Sequence, residues 1–401
     1  MLADLEELVL CESFSADHAA VARSARVVGA LGARLLGAVP ETIVVGGVTH
    51  LRWTFGTPCV LLVGHHDTVW PGGSLESHPW SVADGIARGP GVLDMKAGLV
   101  QMFHALASLP SPEGVCVLVT GDEEVGSPTS RELIEESARG LAAAFVLEAS
   151  ADGAGALKTA RKGTSRYEVV VHGKAAHAGL EPHRGINAAV EAAHQVLAIA
   201  GLGASAAGDT GDPGDTGDPG GTGDPGGTGD LGDPGDTGNP VDSAGTSPAL
   251  GALTITPTLM SAGSTLNTVP AQAKISVDVR APTVAAQDRT DELMRGLTAR
   301  TPGARITVLG GRQRPPMEPG SSAGLFALAS RIASELGQEP LKGVAVGGAS
   351  DGNYTAAVGC PTLDGLGGVG SGAHADTEHV RIAAMVPRTR LLAELIARTR
   401  T

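Results

Sequence analysis

The stretch LLVGHHDTVW (residues 61–70) runs an apolar segment straight into two histidines and an aspartate. A continuous apolar run such as CVLLVG (59–64) is what a strand covered on both faces requires, whereas a strand covered on one face alternates. Two runs of the same kind follow, GVCVLVT (114–120) and AAAFVLE (142–148), with helix-like stretches at 96–108 and 129–139 between them. Strand and helix alternating in this way specify an α/β layer built on a mostly parallel central sheet.

From about Thr164 the texture changes. SRYEVVVHG, GALTITPT, AKISVDVRA and ARITVLG are strand-like. The third alternates strictly, with Ile275, Val277 and Val279 on one face and Lys274, Ser276, Asp278 and Arg280 on the other, which marks a sheet covered on one side only. Helical stretches at 186–200 and 284–300 give a β-α-β-β-α-β order, a ferredoxin-like α+β insertion. The α/β texture resumes near Pro315 and ends in a helix at 382–398. The large domain is therefore expected at 1–163 and 314–401, split by an inserted domain at 164–313.

One segment stands apart. From Gly208 to Gly238 a glycine falls at every third position. Its repeated aspartates repel and its few apolar groups cannot offset ordering entropy, so a disordered acidic loop at about 204–248 is expected. The whole chain of 401 residues carries a formal charge of −14, which argues against nucleic acid as a partner. Four scattered cysteines without CxxC spacing suggest neither disulfides nor a thiolate metal site. Acidic residues near the N-terminus, where a signal peptide is basic, and the lack of an apolar run near about 18 residues give the expectation of a cytoplasmic chain with no membrane partner.

The chemistry gathers at strand ends. His65, His66 and Asp67 follow the first run, Asp122, Glu123 and Glu124 the second, and Glu148 ends the third. Asp94 in GPGVLDMKAG and His374 in GSGAHADTEHV lie in loops. Any one of these would ordinarily cap a helix or satisfy a hydrogen bond. Together, at the carboxyl edge of a parallel sheet where ligands bind, they form a donor set of histidine nitrogen and carboxylate oxygen suited to zinc.

In this order GHHDTVW, GPGVLDMKAG, TGDEEVGS, VLEAS, HGKAAHAG, STLNTVPA, VDVRA and GSGAHADTEHV resemble the aminoacylase and carboxypeptidase G family of two-zinc hydrolases, which includes acetylornithine deacetylase and succinyl-diaminopimelate desuccinylase. The likeness is strongest to the glutamate carboxypeptidase branch and spans nearly the whole chain outside the glycine repeat. It implies two Zn2+ ions per chain, with Mn2+ or Co2+ as substitutes. One would be held by His65, Asp94 and Glu148, the other by Asp94, Glu124 and His374. Asp67 would fix the His65 ring, and His66 would be structural. Glu123 would be the general base, its side chain diverging from Glu124 as neighbours do in extended chain. His177 of the insertion would stabilise an oxyanion in the active site of a homodimer partner. Asn267 and Arg280 would hold the carboxylate of a small acyl-amino-acid or peptide substrate, with Arg314 and Lys158 as weaker candidates for the same pocket. The expected reaction is release of a C-terminal, glutamate-like amino acid. An N-acyl-amino-acid deacylase or dipeptidase is the enzymatic alternative, and a metal-binding dimeric scaffold using the glycine-rich loop the non-enzymatic one.

Overall fold

Val60–His65 is a strand buried along its whole length. In this computed structural model, which describes residues 1–208 and 250–400, it belongs to a six-stranded sheet. The spatial order is Glu41–Val45, Val48–Phe55, Val115–Thr120, Val60–His65, Ala143–Val146, Thr362–Leu363. The last four run parallel to one another, and the first two close the near edge as an antiparallel hairpin. Parallel neighbours need crossovers over a sheet face, and two helices supply them, Ala97–Ala107 and Arg131–Ala138. They take opposite faces: Val60 and Leu62 pack with Leu99 and Phe103, whereas Leu61 and Val63 pack with Ile134 and Ala138. Coverage on both sides is why the runs are continuous instead of alternating. The expected α/β class with a mostly parallel sheet is the one observed.

Helix Ala97–Ala107 approaches very closely. A Cβ on Gly98 would stand 2.0 Å from the carbonyl oxygen of Leu147, and one on Gly64 would stand 2.7 Å from Leu99 Cδ2. The next crossover helix begins at Arg131, two residues later than expected, because Thr129 and Ser130 donate their side chains to Asp122. A small sheet of Gly370–Ser371, His379–Arg381, Ile86–Arg88 and Ser81–Ala83 lies in the same unit.

The chain divides into two compact units, residues 1–163 with those from 313 onward, and 164–208 with 251–312. In the second unit the strands lie in the order Thr254–Ala262, Gln272–Ala281, Gly163–His172, Arg305–Arg314, and the chain order is β-α-β-β-α-β. Along Gln272–Ala281 the alternation holds: Ile275, Val277 and Val279 are buried with Ala188, Ala192, Ile199 and Met294 of the two helices. Helix Ala188–Gly208 starts two residues late because the Asn187 side chain accepts the N–H groups of Ala189 and Val190. Helix Val284–Arg295 stops short of 300, where the Glu191 carboxylate instead captures the N–H groups of Arg300 and Thr301. The repeat expected as a loop lies outside the described residues from 209 to 249. Among the described residues no helix is long and apolar enough to cross a membrane.

The close helix approach yields a test. Helix propensity alone favours alanine over Gly98 by about 1 kcal/mol. A backbone carbonyl cannot swing aside, so overpacking should win and Gly98→Ala should lose about 1–3 kcal/mol of stability. Thermal unfolding of the metal-free proteins checks this, and an unchanged or raised Tm would contradict it.

Candidate active site

The parallel strands deliver their carboxyl ends to one edge. His65 is paired with Thr120 and Val63 with Val146, so the residues that follow each strand meet there. His65 Nε2 stands 3.2 Å from Asp94 Oδ1 and 3.5 Å from Glu148 Oε1. His374 Nε2 is 3.2 Å from both Asp94 Oδ2 and Glu124 Oε2. Asp94 thus presents one oxygen to each histidine. His66 faces away, its Nε2 3.0 Å from the Thr49 carbonyl; burial pushes its pKa down to about 4, which keeps it neutral.

The structure corrects two details of this corner. Glu123–Val125 is a 3-10 turn, not extended chain. Its shape is imposed by Asp67, whose carboxylate accepts the backbone N–H groups of Glu123 (3.1 Å) and Glu124 (3.2 Å) and the Ser15 hydroxyl (2.7 Å). His65 Nδ1 meets the backbone carbonyl of Asp67 at 3.0 Å and its carboxylate only at 3.5 Å. Asp67 therefore anchors the Glu123–Glu124 turn first and the His65 ring second.

Arg314 is the other correction. Far from lining an open substrate pocket, it is buried and committed to the turn. Its Nη2 donates to Glu123 Oε1 at 2.9 Å, to the Glu123 carbonyl at 3.1 Å and to Ser127 Oγ at 2.7 Å. Lys158 is likewise buried, in the strand Leu157–Arg161. Arg161, which sequence reasoning passed over, donates to Asp364 at 2.6 Å and brings Nη2 to 3.7 Å from Glu148.

So many acids in one buried place constrain one another. Burial pushes Glu124 up to about 7, with Asp94 adding repulsion and His374 opposing it. Burial likewise drives Glu123 well above the usual carboxylate range against the pull of Arg314. His374 is drawn up to about 11 by its bonds to Asp94 and Glu124. Glu124 Oε1 is buried with no hydrogen-bond partner among the described residues. Ligand atoms of His65, Asp94 and Glu124 lie within 4.8 Å of one another, as do those of His65, Glu123 and Glu148. An excess of buried carboxylates with an orphaned oxygen and neighbouring imidazoles fits divalent cations. Glu123 is distinguished from the other carboxylates by its pairing with Arg314 at 2.9 Å.

Residues 61–398 match the peptidase family M20/M25/M40. The chain belongs to this family. Carboxypeptidase G2 of Pseudomonas sp. strain RS-16 is 29% identical over 353 residues, 84% of this chain and 73% of that protein. Succinyl-diaminopimelate desuccinylase of Anaplasma marginale is 43% identical over 72 residues, 17% of this chain and 19% of that protein. In fold, the M20 metallo-carboxypeptidase Sso-CP2 from Sulfolobus solfataricus superposes with a TM-score of 0.73 at 15% identity, covering 100% of this chain and 99% of that one. The family resemblance carried by the motifs is thereby borne out, and the chain is an M20 hydrolase.

The insertion's candidates are separated within the M20 chain. His177 is exposed and bridges Thr268; its Nδ1 accepts the N–H groups of Gly179 (3.2 Å) and Leu180 (3.1 Å). The neutral ring therefore carries its proton on Nε2. Asn267 is beside it, its carbonyl accepting Ala178 N–H. Arg280 is paired with Asp278 at 2.8 Å, at the far end of Gln272–Ala281. Eight residues of strand put it roughly 26 Å away from the Asn267 end. Within one chain, Asn267 and Arg280 therefore lie toward opposite ends of Gln272–Ala281. Glu378, Ser15 and Arg161 also escaped sequence reasoning; only Glu378, inside the His374 motif, had a positional signal.

Asp94 faces both histidines, so Asp94→Ala is expected to abolish divalent-cation binding at this site. Elemental analysis of the purified variant reads this directly, and unchanged metal content would refute the shared-ligand arrangement.

Proposed function

We propose that this M20 hydrolase is a two-metal carboxypeptidase that releases a C-terminal, glutamate-like amino acid from an acyl or peptidyl amide. The observation that carries the reading is the placement of Glu123, a buried carboxylate held by Arg314 at 2.9 Å beside a cage of His65, Asp94, Glu124, Glu148 and His374. His65, Asp94 and Glu148 would hold one zinc, and Asp94, Glu124 and His374 the other, with manganese or cobalt able to substitute. Bound there, the cations supply positive charge that acidifies water and polarises a carbonyl oxygen. Glu123 takes the proton of the attacking water and returns it to the leaving nitrogen, so the amine departs neutral. The Arg314 contact keeps Glu123 aimed while leaving Glu124 to the metal.

The remaining groups come from the insertion. An Nε2–H on His177, fixed by two backbone donors at Nδ1, suits an oxyanion. Asn267 shares its end of the sheet, and Arg280 occupies the other end. A two-fold homodimer resolves the separation: each site would draw His177 and Asn267 from one chain and Arg280 from the other, the arginine taking the substrate carboxylate. Similarity to carboxypeptidase G2 supports C-terminal release. The stretch shared with a succinyl-diaminopimelate desuccinylase favours an N-acyl-amino-acid deacylase as the second reading.

Three measurements test this. Turnover of acyl- and folyl-glutamates should exceed that of N-acetyl amino acids and dipeptides when zinc, manganese or cobalt is supplied, and the reverse preference would establish the second reading. Glu123→Gln should retain metal and lose on the order of 10²–10⁴ in rate; if it lost metal while Glu124→Gln kept both rate and metal, the two roles would be exchanged. Finally, His177→Ala and Glu123→Gln chains, each nearly inactive alone, should regain activity as a doubly tagged heterodimer, because one of its two sites combines both intact residues. With one intact site in two, about one half of wild-type turnover per chain is expected from two-fold symmetry. Activity no greater than the sum of the parents would place His177 with its own chain or outside catalysis.

A further inference from the structure

Glu378 is a buried carboxylate in the first unit, only 3% exposed, four residues beyond His374. Four donors converge on its two oxygens. Oε1 accepts the backbone N–H groups of Leu93 at 2.8 Å and Asp94 at 3.0 Å. Oε2 accepts the N–H of Gly91 at 3.0 Å and the indole Nε1–H of Trp70 at 2.7 Å. The donors come from two segments, and Glu378 itself belongs to a third. Trp70 lies just past His65 and Asp67 at the end of the strand Val60–His65, residues 91–94 include Asp94, and Glu378 lies four residues beyond His374, at the entry to the strand His379–Arg381. A single side chain therefore ties together three of the segments that bring the candidate ligands to the site.

Other acids near the site make different connections. Asp67 holds the Glu123–Glu124 turn, and Asp364 holds Arg161. A carboxylate that accepts three backbone N–H groups in one short loop fixes the path of that loop, since each bond constrains a different peptide plane. Because one of the three is Asp94's own N–H, the constraint reaches the side chain that faces both His65 and His374.

We propose that Glu378 is a positioning residue that sets the spacing between Asp94 and His374, and so determines affinity for the cation shared by Asp94, Glu124 and His374. The proposal rests on the two-metal reading of the site above. Outer residues that orient metal ligands commonly govern affinity by about 10–100-fold. In Glu378→Gln the carboxamide NH2 must face one pair of donors, Leu93 and Asp94 or Gly91 and Trp70, and so loses two of the four bonds. In Trp70→Phe only the indole bond is removed and the backbone cradle stays.

The test is a zinc titration against a competing chelator, with elemental analysis and a thermal melt of each metal-free protein. Wild type, Asp94→Ala, Glu378→Gln and Trp70→Phe are compared. The expected result is two ions in wild type, none in Asp94→Ala, and in Glu378→Gln one ion retained with the second weakened by about 10–100-fold, at a metal-free Tm close to wild type. A smaller selective weakening of the second ion is expected for Trp70→Phe. A residue of merely structural importance would lower the metal-free Tm or weaken both ions alike, and that pattern would overturn the proposal. Equal affinity for both ions in the folded variants would overturn it too. Should Glu378→Gln not fold, Trp70→Phe decides: weakening of the second ion alone supports the proposal, and unchanged binding overturns it. Failure of wild type itself to bind two ions would instead overturn the two-metal reading.

Discussion

Val115–Thr120, Val60–His65 and Ala143–Val146 run in the same direction, side by side. Parallel neighbours sit about 4.8 Å apart and must be re-entered from the same end, so whatever follows each strand is delivered to one edge of the sheet. His65 and Asp67 follow one strand, Asp122 to Glu124 the next and Glu148 the third. The backbone ladder, which carries no functional side chain of its own, thereby brings an imidazole and several carboxylates within a few ångströms. The segment just before helix Ala97–Ala107 adds Asp94, and the close seating of that helix against Leu147 depends on the missing side chain of Gly98.

Gathering acids in a buried place is expensive unless each finds donors. The site meets this by giving nearly every acid a specific set of partners. Asp67 takes two backbone N–H groups and the Ser15 hydroxyl, and Asp122 takes the backbone N–H and hydroxyl of Thr129 with the Ser130 hydroxyl. Glu123 takes Arg314, and Glu378 takes three backbone N–H groups and an indole. The acids that face Nε2 of His65 and His374 are Asp94, Glu124 and Glu148, and Glu124 keeps a buried oxygen without a partner among the described residues. Organisation by donors in the surrounding acids, with the inner carboxylates turned toward the two imidazoles, is the electrostatic pattern of a cation site.

The same division explains how a fold can superpose with a TM-score of 0.73 at 15% identity. The sheet asks for apolar side chains of suitable volume at alternating or continuous positions, a requirement many sequences meet. The chemistry is carried by a few side chains just past the strand ends and in short loops, where the backbone has left the ladder and is free to vary.

By itself the sequence determined the layer architecture, because burial on both faces of a central strand demands continuous apolar runs and burial on one face demands alternation. Both are local patterns, visible at 59–64 and 272–281. It also determined which residue types stand at the strand ends, since a ligand-type side chain after an apolar run is a feature of adjacent positions. Only the tertiary structure decided the conformation of the Glu123–Val125 turn, because that shape is set by Asp67 from 56 residues away. Arg314, 191 positions from Glu123, could be assigned to it and not to a substrate pocket only once the chain between them had been folded back. Asn267 and Arg280 are close in sequence yet lie at opposite ends of one strand's reach, since extended chain converts a short sequence separation into a long distance. Glu378 acquires its meaning in the same way: a surface-type residue in the sequence becomes a buried clamp because the Asp94 loop, some 284 positions earlier, turns its backbone N–H groups toward it. Local pattern encodes burial and residue type, whereas hydrogen-bond partnership between distant segments is encoded only by the register and path of the folded chain.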